Sequence, residues 1–164
     1  MTYNIELSRN FDSAAAQWAQ APKIAAEELL AAMTEADMLL LREVTDAMPA
    51  ATGLTRASLF SQETPIDGGV LGVVGSALPH IVYVELGTRP HFPPLQPLRD
   101  WVRVKFGVSE QESYGIAFAI ARKIAARGTA GAFMFQKSFD KLQPQLERMF
   151  ERARDRIAAR LVPG

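Results

Sequence analysis

Hydrophobic and polar residues in the first third of the chain follow two different periods. Tyr3, Ile5 and Leu7 alternate with polar neighbours, which is typical of a half-buried edge strand. From about residue 13 to residue 47 the apolar positions are spaced by three and four, which predicts a long amphipathic helix with Pro22 in a first turn after a short preceding segment. The predicted apolar face consists of Ala25, Leu29, Met33, Ala36, Leu40, Val44 and Ala47.

The middle of the chain predicts a hairpin and a short helix. Two strand patterns, at about 58–64 and 70–76, flank a loop that contains Pro65, Asp67, Gly68 and Gly69. The apolar run 79–87 is too short to show a decisive period, and we interpret it as a short buried helix.

Two further helices are predicted after a proline-rich stretch. The prolines at 90, 93, 94 and 97 favour an extended arm. A short helix then ends at Gly107, and Ser109 with Glu112 forms a capping-box pattern that opens a helix over about 110–127. Residues 90–130 therefore read as a two-helix insertion.

A long amphipathic helix is predicted at the C-terminus, with Pro144 kinking it or starting its main part. Together these elements predict one α+β domain over 1–164. Its small antiparallel sheet would pack against the long N-terminal and C-terminal helices. The apolar face of the last helix consists of Phe139, Leu142, Leu146, Met149, Phe150, Ala153, Ile157 and Leu161.

Composition narrows the class of protein. Of the 164 residues 48% are hydrophobic, enough for one core, and 18 basic residues balance 18 acidic ones, so no global field favours nucleic acid or an anionic membrane. Cysteine is absent, which excludes a disulfide scaffold. We find no signal peptide and no membrane span, and expect no membrane partner.

Catalytic patterns are weak. His80, Glu85 and His91 are the only grouping with metal-ligand chemistry, but their spacing matches no zinc motif, and the alternative is that both histidines are polar loop residues. The glycines of 68–75 lack the lysine of a phosphate-binding loop, and no nucleophile elbow occurs. We therefore expect no enzyme and no cofactor.

Two helices carry charge patterns that suggest interfaces. Arg122, Lys123 and Arg127 could contact a nucleic-acid backbone, although a solvated helix face is the favoured interpretation. On the last helix the acidic and basic residues lie on opposite sides of the apolar face, so copies could pair acid to base in a ring; a solvated helix with pairs inside it is the alternative. The acidic side holds Glu147, Glu151 and Asp155, and the basic side holds Arg148, Arg152, Arg156 and Arg160.

The stretch Tyr83 to Leu98 contains residues typical of a core, of a turn and of a polar surface. We expect Tyr83 and Val84 to anchor it in the core and Gly87 to turn the chain away. Glu85 and Arg89 would then be structural or interface residues at the base of a stiff arm, with Thr88 and Phe92 beside them.

The order of these motifs resembles the tail-completion and neck proteins of tailed bacteriophages, the lambdoid "tail component" family related to minor tail protein Z. The matching features are Pro49 with Thr52-Gly53-Leu54 and Ser58, then Tyr83, Glu85, Gly87 and Thr88, then the segment 89–94, and finally the stretch 120–129. The chain departs from the family pattern at Ala132 to Phe135, where many relatives carry Pro-Phe.

This resemblance implies a non-enzymatic virion-assembly protein that works in tail completion or head-tail joining. Such proteins usually form rings, commonly hexamers, at the head-proximal end of the tail. The implied partners are the tail terminator, the tail tube and the head-tail stopper, and the implied location is the virion after assembly in the host cytoplasm. DNA contact by a basic helix is the alternative function, and a metal-assisted hydrolase is the third.

Overall fold

The computed structural model describes residues 8–48 and 53–162. The predicted strand at 3–7 and the segment 49–52, which includes Pro49 and Thr52, lie outside the described residues. The elements in chain order are α1 (Ser8–Ala19), α2 (Ala21–Ala47), α3 (Leu54–Ala57), β1 (Leu59–Ile66), β2 (Gly69–Ser76), α4 (Ile81–Leu86), β3 (Gly87–Thr88), α5 (Leu95–Phe106), α6 (Glu110–Arg127), β4 (Thr129–Ala130) and α7 (Met134–Leu161).

The α+β prediction is confirmed. Long helices dominate the described residues, and the strands form two small antiparallel sheets, β1-β2 and β3-β4. The second sheet was not predicted, because its strands of two residues each are too short to show a period.

The predicted N-terminal helix is divided at Gln20. Pro22 has no N–H to donate to the carbonyl of Trp18, and its ring would collide with that carbonyl in a continuous helix. The chain therefore ends α1 at Ala19 and begins α2 at Ala21, with Pro22 in the first turn of α2. By contrast, α7 continues through Pro144.

Two compact units divide the chain. The first comprises the described parts of 1–40, 61–74 and 141–164. Its core joins Ala36 of α2 to Leu142, Leu146 and Met149 of α7, with Leu39, Leu40 and Phe150 packed around them. The apolar faces predicted for both helices are thus largely confirmed.

The hairpin is confirmed with a shorter connection than predicted. β1 extends through Pro65 to Ile66, and only Asp67 and Gly68 separate it from β2. Gly68 takes a positive φ of 74°, which a tight turn requires.

The second unit comprises the described parts of 41–60 and 75–140. α5 and α6 form a helical pair within it, as predicted, and the capping box at the start of α6 is present. The Ser109 hydroxyl accepts from the Glu112 N–H at 3.3 Å, and the Glu112 carboxylate accepts from the Ser109 N–H at 3.0 Å. The Ser109 hydroxyl also donates to the Glu112 carboxylate at 2.6 Å, and this bond together with the one from the Ser109 N–H lowers the pKa of Glu112. The buried apolar residues of this unit include Val44, Met48, Ile81, Val102, Ala117, Ala121 and Met134.

The expectation of one domain stays a prediction. α2, the β1-β2 hairpin and α7 each contribute residues to both units. Across residues 8–48 and 53–162, no helix combines the length and the apolar character needed to cross a membrane.

Candidate interaction site

Glu85 links α4 to the start of α7, about fifty residues later in the chain. Its carboxylate accepts from the backbone N–H groups of Phe135 and Gln136, each at 3.2 Å. The first N–H groups of a helix have no partner within the helix, and a negative charge at this end also interacts favourably with the helix dipole. Glu85 therefore caps α7 from a distant segment.

Backbone hydrogen bonds reinforce this link. The N–H of Ala132 donates to the carbonyl of Val84 at 2.9 Å, and the N–H of Phe133 donates to the carbonyl of Glu85 at 3.1 Å. Phe133 adopts a left-handed conformation with φ 51°, uncommon for a residue with a side chain. The last turn of α4 and the first turn of α7 are thereby joined.

The β3-β4 ladder closes the same region. Gly87 pairs with Ala130 and Thr88 with Thr129, and the two threonine hydroxyl oxygens lie 2.9 Å apart. A Cβ at Gly87 would collide with the carbonyl oxygen of Thr129, and Gly87 also has φ 79°. The predicted turn at Gly87 is confirmed, and close backbone approach adds a second requirement for glycine.

The expectation that Tyr83 lies in the core is wrong. Its side chain is 62% exposed, and its neighbours Val82 and Leu86 are 52% and 64% exposed. Ile81 is the buried residue of α4. At 100° per residue, positions 82, 83 and 86 fall within one 100° arc. We call these three residues the α4 ridge.

Arg89 and Phe92 begin the proline-rich arm. An open cleft of about 690 Å³ is lined by Tyr83 and by residues 87–91, which include Arg89 and His91. The arm is shorter than predicted, since α5 already includes Pro97 in its first turn, where the missing N–H costs little.

The proposed metal ligands are not brought together. Both carboxylate oxygens of Glu85 accept from the α7 backbone, and His91 Nδ1 lies 2.9 Å from the carbonyl oxygen of Arg89. In the described part of the chain no three His, Asp or Glu residues converge on a point that could hold a metal ion.

Arg122, Lys123 and Arg127 are brought together, as their spacing predicted. All three are exposed, and with Ala119 they line one shallow cleft on α6. None of the three forms an ion pair with any described residue. This leaves three cations free on one surface.

Some charged residues of α7 form ion pairs with residues elsewhere in the chain. Arg156 donates to Glu28 of α2 at 2.7 Å, and Arg160 donates to Glu28 and Glu27, each at 3.1 Å. The Arg156 guanidinium lowers the pKa of Glu28, and Glu27 together with Glu28 raises the pKa of Arg160. Two cations of the predicted basic side therefore face α2.

The remaining charged residues of α7 are exposed. Glu147 accepts from Gln143 at 2.9 Å, and Arg154 pairs with Asp155 at 2.9 Å. Glu151, Arg148 and Arg152 are exposed as well. One ion pair inside α7 is therefore formed by Arg154 and Asp155.

Comparison with protein-family models, with curated proteins and with solved structures found no match.

Proposed function

We propose that this chain is a structural protein of a tailed bacteriophage or prophage that acts in tail completion or head-tail joining. It would work as part of a ring at the head-proximal end of the tail, with no catalytic activity. The motif order described above supports the phage assignment. The exposed α4 ridge is the structural observation that supports a role in assembly.

The ridge has the properties of a docking surface. Val82, Tyr83 and Leu86 are each more than half exposed, although α4 itself is held by the Glu85 cap and the β3-β4 ladder. Exposed apolar and aromatic side chains on an ordered backbone supply binding energy at a low entropic cost. Residues that resemble the family motif thus divide into two roles: Glu85 and Gly87 hold the segment, and Tyr83 meets a partner.

Association with tail proteins tests the proposal. The full chain and purified tail-tube protein are mixed at micromolar concentrations and analysed by size-exclusion chromatography with light scattering. We expect a complex or a defined ring. Absence of any association with tail-tube, terminator or stopper proteins would contradict the proposal.

Substitutions in the ridge test the surface itself. Tyr83→Ser with Leu86→Gln should weaken the association at least roughly tenfold, because each removes a large apolar contact. Ile66→Gln is the matched control, since Ile66 is 53% exposed but lies on the hairpin. An equal loss of association in the control and the ridge variant would show that the ridge is not the docking surface.

A further inference from the structure

The zero net charge of the chain conceals a local excess of positive charge. Residues 89–131 contain seven basic and three acidic side chains, a net charge of +4, so the rest of the chain carries −4. No acidic residue occurs between Ser113 and Phe139. The helix α6 is therefore acidic only in its first turn, and its remaining length carries cations alone.

Aromatic side chains precede these cations on the same helix. Tyr114 and Phe118 are one turn apart, their rings 10° from parallel with centroids 6.3 Å apart. Phe92, from the arm before α5, meets Phe118 edge-on with centroids 6.2 Å apart. Phe92, Tyr114 and Phe118 are 54%, 52% and 40% exposed. We call these three rings the aromatic platform.

Arg122 connects the aromatic platform to the other two cations. Arg122 follows Tyr114 and Phe118 at the same spacing of four, so all three project from one side of α6. Lys123 and Arg127 lie about 100° and 140° further round the helix than Arg122, and they share one shallow cleft with it. From Tyr114 to Arg127 the helix rises about 20 Å.

Arg122, Lys123 and Arg127 have no ion-pair partner among the described residues. Arg99 lies over the Tyr114 ring, 5.7 Å from its centroid, and pairs with Glu110 at 3.4 Å, so Tyr114 already has a cation partner and does not account for Arg122. The α6 dipole favours Arg127 in the last turn, but this effect falls off within one turn and does not reach Arg122.

We propose that this surface of α6 binds single-stranded nucleic acid. Unpaired bases would stack on the aromatic platform, and the backbone phosphates would meet Arg122, Lys123 and Arg127. Aromatic rings next to unpaired cations are the combination that such strands require, whereas duplex DNA hides its base faces and would use the cations alone. The inference does not depend on the phage assignment.

Fluorescence polarisation of the full chain with a labelled oligothymidylate of about 20 nucleotides tests this. Three phosphate contacts to a single strand predict a slope of about −2 for log K against log salt, so raising salt from about 50 to 200 mM should weaken binding roughly 20-fold. Replacing Arg122, Lys123 and Arg127 with Ala should weaken binding at least roughly tenfold at the lower salt and flatten the slope.

Phe118→Leu separates stacking from charge. Leucine keeps the apolar volume and loses the ring, so affinity should fall roughly tenfold while the salt slope stays unchanged. The control for the cations replaces Arg42, Arg148 and Arg152 with Ala, which removes the same charge elsewhere and should change affinity less than about twofold. Circular-dichroism melting checks each fold, and Arg122→Lys with Arg127→Lys should retain binding.

Four results would overturn the inference. These are no binding at about 50 mM salt, equal losses in the α6 triple variant and its control, a duplex bound as tightly as the single strand with no effect of Phe118→Leu, and an oligoglutamate peptide bound as tightly as the oligonucleotide. The last outcome would assign the surface to an acidic protein segment.

Discussion

Asp37 of α2 and Glu63 of β1 place their carboxyl groups close enough to interact inside the first unit. Two carboxyls can hydrogen-bond only when one of them is protonated. Asp37 is 6% exposed, and its Oδ2 has no partner among the described residues. Burial and the neighbouring Glu63 charge raise the pKa of Asp37 to about 6.

This pair predicts that stability falls as pH rises. The folded state holds the Asp37 proton more tightly than the unfolded chain does, because its pKa is about 6 rather than 3.8. The contribution is therefore complete below about pH 4 and is lost as pH rises through about 6. Its size is on the order of 3 kcal/mol at most.

Asp37→Asn isolates this contribution, because asparagine stays neutral. The free energy of unfolding of the wild type minus that of the variant, from urea denaturation, should decrease between about pH 4 and pH 7. Asp46→Asn, at an exposed site on the same helix, should give a difference that does not vary in this way. A flat difference for Asp37→Asn would show that the proton on Asp37 does not contribute to stability.

Gly72 of β2 allows the hairpin to approach this carboxyl pair. A Cβ at Gly72 would collide with the carboxylate of Asp37 and the thioether of Met33. Gly72→Ala should therefore destabilise the protein by about 1–3 kcal/mol, measured by urea denaturation. Gly115→Ala is the control, since a Cβ there meets nothing within 4 Å and alanine favours helix α6 by up to about 1 kcal/mol. Equal stabilities for the two variants would contradict the close approach.

The Glu85 cap predicts a loss that a mid-helix glutamate does not show. Glu85→Ala leaves the N–H groups of Phe135 and Gln136 without their acceptor, which should cost about 1–2 kcal/mol and lower the melting temperature by several degrees. Glu85→Gln keeps one oxygen and should lose less. Glu35→Ala, on an exposed face of α2, is the control. If Glu85→Ala leaves both folding and tail association unchanged, Glu85 has no structural role.

Local patterns in the sequence predicted the fold better than contacts between distant segments. The Ser109 capping box and the end of α5 at Gly107 depend on residues three or four apart, and both are confirmed. The bond between Glu85 and the start of α7 spans fifty residues, so no local spacing could show it. Tyr83 was misplaced because a helix of six residues is too short to establish which side is buried.

The burial of Asp37 could have been predicted from its position on α2. It follows Ala36 on the apolar side of α2, and Glu63 lies on the inner face of an alternating strand. An acid at a buried position predicts a paired or protonated carboxyl. The predicted apolar face of α2 did not include Asp37. On α7, by contrast, Phe139 was assigned to the core but is 48% exposed, and Ser138 is buried in its place.

The ring proposed for α7 can now be tested without disturbing the fold. Reversing Arg156 would break its pair with Glu28 inside the chain, so a lost ring in that variant would not identify an interface. Arg148 and Arg152 are exposed and form no ion pair with a described residue. Arg148→Glu with Arg152→Glu is therefore the informative variant.

If α7 pairs acid to base between copies, this double reversal sets like charges against the acidic side of the neighbour. Any ring seen by light scattering or electron microscopy should dissociate, while circular dichroism and the melting temperature stay close to the wild type. Arg42→Glu with Arg103→Glu makes the same charge change away from α7 and should leave the ring intact. Adding Glu147→Arg and Glu151→Arg to the double reversal should restore it, since the complementary charges are exchanged. A ring that persists in the double reversal would show that copies meet through another surface.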